Sequence, residues 1–437
     1  MNTSPDVRRL GDLLRSPAVA SAYTLAAIGA VFTTYLLRQL MGDAGYGAVI
    51  SGLLVLGVAI LAARRQEWQL RHLAPWSLVL VLAWFLLSFL WSSARGATIS
   101  GWIALAASAL VAVTVAHIRD TVQIVRATGD VLRVLLVLSL GMEILSGILL
   151  DLPIPFLGIA GDITAGGPIQ GIFGSRTQLG VVTIIALVTF LVEWRTRSVA
   201  TGLSVFSITL GALLAVLTAS PIVWILALLS ATGAGILVIA RRIAPSRRRT
   251  FHTIVASLVS VGLLTIYLFR RPLVYWLNAE PGFLERSRLW NVVLDFAERE
   301  PIAGWGWVGT WPSDRAPYVV IHILNERDQT SALGAYMDVL LQTGGVGAAL
   351  FAFFGLLALG RSWVSASERR STVYTWAPLV ILVVLADGVV TSALLGGFEW
   401  FLLVVCAARA SLMRWDSPGP PGAPPTGTID LRPAPFT

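Results

Sequence analysis

Long apolar segments separated by short polar ones follow each other along almost the whole chain. Twelve of them approach or exceed the roughly 17–25 residues that a helix needs to cross the hydrocarbon of a bilayer. They lie at 17–37, 45–63, 75–93, 98–117, 130–150, 178–194, 199–218, 221–240, 251–269, 336–360, 375–393 and 396–413. The last pair is the least regular, because Gly396, Gly397 and Glu399 interrupt it. The pattern predicts an all-α, polytopic integral membrane protein with about twelve transmembrane helices.

One polar interval, residues 270–335, is much longer than the others and separates the ninth and tenth apolar segments. It contains too many Trp, Leu and Val residues to stay disordered, and connections of this length usually carry function. After the break at Pro281-Gly282, helical periodicity predicts a helix from about Phe283 to Arg299. We therefore expect a large, partly helical loop.

Arg286 interrupts the hydrophobic face of this predicted helix. At about 100° per residue it shares a stripe with Leu289, Trp290 and Val293. A guanidinium on a packing face must pair with an acid or bind an anion, because an isolated buried charge is very costly. One interpretation is that Arg286 snorkels from the helix end or pairs with a nearby carboxylate. The other is that it binds phosphate, which suits its planar guanidinium. Spacing alone slightly favours the first interpretation.

Composition supports the membrane assignment. The chain has 437 residues, is 56% hydrophobic and 13% charged, and has a mean hydropathy of +0.77, which excludes an ordinary soluble protein. Its net charge of +8 comes from arginines in short clusters between apolar segments, so we expect no nucleic-acid partner. Cys406 is the single cysteine, so no intrachain disulfide can form.

The arginines also predict the orientation, because they concentrate in alternate loops and such loops face the cytoplasm. Both termini are therefore expected in the cytoplasm, and the large loop on the extracytoplasmic side of the plasma (inner) membrane. The predicted divisions are a cytoplasmic segment 1–16, spans 1–9 over 17–269 with an outward loop 151–177, the large extracytoplasmic loop 270–335, spans 10–12 over 336–413, and a disordered cytoplasmic tail 414–437.

Two carboxylates within apolar segments are further candidates, because ionisable groups in membrane spans are usually functional. Glu143 lies in the fifth segment and Asp387 in the eleventh, both in the predicted outer third of the membrane. Either they hold Arg176 or Arg286 in place, which we prefer, or they form the proton relay of a transporter.

Three segments share a recognisable pattern: QGIFGSRTQLG, RSRLWNVVLDFAEREPIAGWGWVGTW and AYMDVLLQTGGVGAALF. Together they resemble the O-antigen ligase and O-antigen polymerase superfamily. The second segment is similar to the superfamily's R-x-x-x-W … P-x-x-G-x-G signature, and the first is similar to its G-x-F segment. AYMDVLLQTGGVGAALF resembles the helix that leads out of the large loop, with late glycines at Gly344, Gly345 and Gly347. The segments occur in the family's order and cover about residues 165–360.

The resemblance implies a membrane C-type glycosyltransferase that takes a saccharide from a polyprenyl diphosphate-linked glycan donor. The acceptor is a glycan or lipid hydroxyl on the outer face of the membrane, and no cofactor or bound metal is used. It implies that Arg286 and Arg176 bind the diphosphate, with Arg288 or Arg271 as supporting cations. Membrane lipids are the remaining expected partners.

The chain also departs from the family pattern. The family's histidine, thought to act as base, stands a few residues before a tyrosine, yet no histidine occupies that spacing before Tyr336. His322, the only outward histidine, is the tentative base, and we give equal weight to a packed or surface role. Glu326 and Asp328 are alternatives. The mid-chain turn TASP (Thr218–Pro221) lacks the family's arginine.

These departures leave other functions open. The chain could be an inactive scaffold of a glycan assembly complex. From another class, it could be a lipid-linked oligosaccharide flippase or a small-solute transporter, although no internal repeat is visible.

The tryptophans of GWGWVGTW have two interpretations. Trp305 and Trp307, with Trp311, either stack on sugar rings or pack the loop against the headgroup region. We favour packing for at least two of the three.

Overall fold

The computed structural model describes residues 11–65, 73–269, 281–325 and 328–412, and within these ranges the protein is built from helices without β-strands. The helices are α1 (Pro17–Phe32), α2 (Thr34–Ala63), α3 (Trp76–Leu87), α4 (Arg95–Ile118), α5 (Thr121–Ile144), α6 (Arg176–Thr196), α7 (Thr201–Leu217), α8 (Pro221–Arg242), α9 (Pro245–Leu268), α10 (Pro281–Ala297), α11 (Tyr318–Asn325), α12 (Ala335–Glu368), α13 (Trp376–Asp387) and α14 (Gly397–Leu412). The predicted tail and most of the predicted N-terminal segment lie outside these ranges.

Among the described residues, seven helices are long and apolar enough to cross a membrane, by length and composition: α2, α4, α5, α6, α8, α9 and α12. Each of the twelve predicted apolar segments contains a helix, but α1, α3, α7, α13 and α14 are shorter. Large apolar side chains cover the outside of the bundle. On α9, for example, Leu258, Val261 and Leu264 are all exposed. These features indicate a membrane protein.

Two helices form the centre of the bundle. α6 packs against α5, α7, α8 and α13, and α14 packs against α4, α12 and α13. Although glycines and a glutamate interrupt its apolar sequence, α14 is buried from Phe398 to Ala408. Its polar residues therefore lie inside the protein rather than against lipid.

The helix α12 is broken at Gly344, where φ is +65°. A Cβ at this position would collide with the carbonyl oxygen of Ile302, so the close approach of two backbones requires glycine. The N–H of Gly345 donates to the Pro301 carbonyl at 2.8 Å, and Trp84 Nε1 donates to the Thr343 carbonyl at 3.0 Å. The backbone groups freed by the break are thus satisfied by the P-x-x-G-x-G segment and by α3.

The same segment is fixed to α12 by further backbone hydrogen bonds. Trp305 N–H donates to the Leu341 carbonyl at 3.1 Å, and Gly306 N–H to the Gln342 carbonyl at 2.7 Å. The Gln342 side-chain oxygen accepts from the N–H groups of Val308 and Gly309. The glycines of the P-x-x-G-x-G segment and the glycines of α12 therefore meet in one contact region, which we call the joint.

Above this joint, α10 and α11 pack into a small hydrophobic cluster of their own, which we call the cap. Its core is formed by Leu289, Val293, Phe296, Val308, Trp311, Tyr318, Ile321 and Leu341. The helix predicted from about Phe283 to Arg299 is confirmed, beginning at Pro281 and ending at Ala297. It starts at the predicted break because proline is favoured in the first turn of a helix.

Candidate functional site

Trp290 anchors α10 over the beginning of α12. Its Nε1 donates to the Ala332 carbonyl at 2.9 Å, and its ring lies beside Gly334. The N–H of Gly334 in turn donates to Ser392 Oγ, in the turn between α13 and α14, at 3.1 Å. Because residues four apart share a helix face, Arg286 lies on the face of α10 that packs near this turn.

Arg286 is half-buried, and its positive charge acts on Asp387 at the end of α13. An arginine on the hydrophobic face of the predicted helix therefore has an acid nearby, as the carboxylate interpretation expects. A guanidinium carries five N–H donors, so the group can in principle bond a carboxylate and a phosphate through different N–H groups. The arrangement is compatible with both interpretations of Arg286.

Asp387 interacts directly with a second buried acid, Glu399 of α14, and we call these two side chains the carboxyl pair. Both are fully buried, at 0% exposure. Thr391 Oγ1 donates to Asp387 Oδ2 at 2.5 Å, and Gln178 Nε2 of α6 donates to Glu399 Oε1 at 3.4 Å. The site thus joins α6, α13 and α14 beneath α10.

The turn between α13 and α14 is held rigidly against α12. Ala335 N–H donates to the carbonyls of Gly388 and Thr391 at 2.8 and 2.9 Å. The buried carboxylate of Asp338 accepts from Ser392 Oγ at 2.5 Å and from Ala332 N–H at 3.0 Å. These bonds fix the position of Asp387 relative to the cap.

Glu143 is also buried, but its hydrogen bonds run to the backbone. Its Oε1 accepts from the N–H groups of Gln170 at 2.9 Å and Gly171 at 2.8 Å. These residues belong to the G-x-F segment that leads into α6, so Glu143 fixes the loop before Arg176 rather than the guanidinium itself. Arg176 is the first residue of α6 and is exposed.

His322 lies in the cap with its ring near Trp311, at a centroid distance of 6.4 Å. Its Nε2 is 2.6 Å from the Gln329 carbonyl oxygen, and because a carbonyl only accepts, Nε2 must carry a proton. Nδ1 is then the basic nitrogen, 3.9 Å from Asp328 Oδ1. These contacts are typical of a packed histidine, one of the two roles weighed above. The other alternative, Glu326, lies outside the described residues.

The remaining candidates are placed as follows. Arg288 is exposed, and Arg271 lies outside the described residues. Trp307 is buried and stacks on Phe85 with ring centroids 4.4 Å apart. Trp305 Nε1 donates to the Phe296 carbonyl at 3.0 Å. Together with Trp311 in the cap core, these contacts pack all three tryptophans against other parts of the protein. Packing against the headgroup region stays a prediction.

Tyr318 links the cap to the joint on α12. Burial raises the pKa of its phenol well above the ordinary value, so the group stays neutral at physiological pH. Its hydroxyl donates to the Gly306 carbonyl at 3.3 Å. Tyr318 therefore acts as a hydrogen-bond donor within the cap.

The sequence analysis missed three side chains of this site: Glu399, Gln178 and Thr391. Glu399 was visible only as an interruption of the last apolar segment. The rule that intramembrane carboxylates are functional would have selected it together with Asp387. Gln178 and Thr391 carry no such signal, because polar uncharged residues are common in membrane helices.

A second buried ionic cluster was also missed. Arg133 of α5 forms an ion pair with Glu193 of α6, donates to Asp130 at 2.7 Å, and donates through Nε to Ser207 Oγ of α7 at 2.8 Å. At the helical rise of about 1.5 Å per residue, Glu193 lies about 22 Å along α6 from Gln178. These two polar centres are therefore well separated along α6.

No family model matches the sequence, and no curated protein matches it significantly. The superfamily resemblance accordingly rests on the three segments quoted above. In the described part of the chain, no group of three or more His, Cys, Asp or Glu side chains could hold a metal ion.

Proposed function

We propose that the protein is a membrane glycosyltransferase that transfers a saccharide from a polyprenyl diphosphate carrier to an acceptor hydroxyl. In this proposal the chain crosses the plasma membrane twelve times, with both termini in the cytoplasm and the cap outside. The observation that carries the proposal is the half-buried guanidinium of Arg286, whose charge acts on the carboxyl pair at the predicted outer end of the bundle.

Arg286 binds the diphosphate of the donor, because a planar guanidinium matches phosphate oxygens with two parallel hydrogen bonds. Arg176 is suited to assist, since it starts the helix whose Gln178 contacts Glu399. Negative charge develops on the diphosphate as the sugar–oxygen bond breaks. Positive groups already in place at that point lower the barrier.

The proposal is tested by reconstituting the purified protein in proteoliposomes with a labelled saccharide on a short-chain polyprenyl diphosphate. We expect the label to appear on an acceptor glycan or lipid. Arg286→Lys should reduce the rate by a factor on the order of a hundred to a thousand. The ammonium group of lysine cannot make the two parallel hydrogen bonds that a guanidinium makes with phosphate.

The matched control is Arg315→Lys, at an exposed cap arginine that pairs with the adjacent Asp314. This variant should transfer at the wild-type rate. Both variants should be produced in normal amounts. Wild-type turnover by Arg286→Lys would contradict the assignment.

A proton-coupled transporter, including a flippase for the lipid-linked saccharide, is the second candidate. It is favoured by the two buried ionic centres spaced along α6, because transporters carry protons between such groups. The same proteoliposomes distinguish the candidates. A transporter moves the labelled substrate across the bilayer with its glycosidic bond intact, whereas the enzyme cleaves that bond.

A further inference from the structure

The carboxyl pair has more buried oxygen atoms than protein donors to satisfy them. Asp387 Oδ2 accepts from Thr391 and Glu399 Oε1 from Gln178, whereas Asp387 Oδ1 and Glu399 Oε2 are buried without a protein donor among the described residues. The two carboxyl groups nevertheless interact directly with each other. Ionised carboxylates only accept, so a bond between them requires a proton.

One proton satisfies both orphan oxygens and leaves the pair with a single negative charge. Two neighbouring carboxyl groups behave in this way when like charges cannot both be tolerated. The groups that act on the pair in the described part of the chain are Arg286, Gln178 and Thr391, and of these only Arg286 is charged. Arg286 therefore balances the remaining negative charge.

We propose that the carboxyl pair is a proton-binding site coupled to the anion that Arg286 holds. The pair carries one proton while Arg286 faces it, and takes up a second from water when a diphosphate engages Arg286. The reason is electrostatic: once the guanidinium is neutralised by the ligand, a buried negative charge loses its compensation and becomes costly. The second proton leaves when the diphosphate leaves.

This inference rests on the proposed function for the identity of the anion, but it concerns binding and not transfer. Uptake of one proton with each ligand requires the affinity to fall about tenfold per pH unit as the pH rises, over the range in which the free pair holds one proton. Without coupling, the affinity for a ligand of constant charge does not depend on the state of the pair.

The probe is a synthetic farnesyl glucosyl diphosphate, a disubstituted diphosphate whose own charge stays constant between mildly acidic and mildly basic pH. Binding to the full chain in nanodiscs is measured calorimetrically in buffers of different ionisation enthalpy, which counts the protons taken up. We expect about one proton per bound probe. This count needs no variant, so it applies even if a substitution prevents folding.

Asp387→Asn should bind the probe with no proton uptake and no pH slope. In that variant Glu399 is left as a buried acid that Arg286 does not act upon, so it stays protonated throughout. Asp295→Asn is the control, because it makes the same chemical change at an exposed position of α10, the helix that carries Arg286. The control should retain the wild-type proton count.

The outcomes separate the two proposals. A probe that binds wild-type protein without proton uptake overturns the coupling and leaves the donor site standing. A wild-type proton count in Asp387→Asn also overturns the coupling. A probe that does not bind at any pH overturns the donor site and the coupling with it.

Discussion

At the scale of single residues, Arg286 and Trp290 lie on one face of α10 and have different roles. Trp290 fixes α10 by its bond to Ala332, and the charge of Arg286, one turn earlier, acts on Asp387. The sequence identified Arg286 as anomalous because helical periodicity is local. It could not identify the partner, since Asp387 lies about a hundred residues later and only folding brings the two together.

His322 is the residue whose role a single substitution can decide. His322→Gln retains a side-chain N–H that can reach the Gln329 carbonyl, but it removes the basic nitrogen. If the packed role is correct, transfer should stay within about tenfold of wild type, as expected when no proton-transfer group is lost. Loss of a hundredfold or more, with the same thermal stability, would instead establish His322 as the base.

At the scale of secondary-structure elements, the break in α12 matters most for the site. The late glycines of α12 were singled out in the sequence only by a resemblance. The structure shows why glycine is needed at Gly344: the backbone of the loop packs directly against it. A single sequence cannot reveal this joint, because Gly344 meets Ile302 through backbone atoms and not through a side-chain pattern.

Gly344→Ala tests this joint. The substitution forces a side chain into a left-handed conformation against the Ile302 carbonyl, so we expect a loss of about 1–3 kcal/mol in stability. Thermal unfolding followed by size-exclusion chromatography in detergent provides the measurement.

Gly360→Ala is the matched control in the same helix, at a position with open space around its Cα. It should be neutral or more stable by about 0.5–1 kcal/mol, because alanine favours a regular helix. Equal unfolding temperatures for the two variants would contradict the role given to the joint.

At the scale of the whole molecule, the apolar segments predicted the helical class and one helix for each segment. The predicted division of the first two segments was wrong, because α2 begins at Thr34 and runs through the predicted loop to Ala63, with a kink at Gly42. The helical class was predictable for a simple reason: backbone groups in a hydrocarbon environment must be satisfied within the segment, so apolar length predicts helix. The arrangement of the helices was not predictable, since α6 and α14 are central for reasons of packing. Glu399 is an example. In the sequence it only interrupts an apolar segment, but in the structure it is a buried member of the site.

The proposed orientation can be tested with cysteine labelling, which the chain makes simple because Cys406 is its only cysteine and is buried. In intact cells, a membrane-impermeant maleimide should label Ser313→Cys in the cap and should not label Ser246→Cys at the start of α9. Both positions are exposed. After the membrane is permeabilised, both should react. Labelling of Ser246→Cys in intact cells would contradict the orientation.

The most direct test of the whole account is an experimental structure of the full chain in nanodiscs with the farnesyl glucosyl diphosphate probe bound. We expect the diphosphate oxygens within hydrogen-bonding distance of the Arg286 guanidinium, beneath α10 and on the side of the bundle where α6 begins. A diphosphate bound elsewhere, out of reach of the Arg286 guanidinium, would contradict the account.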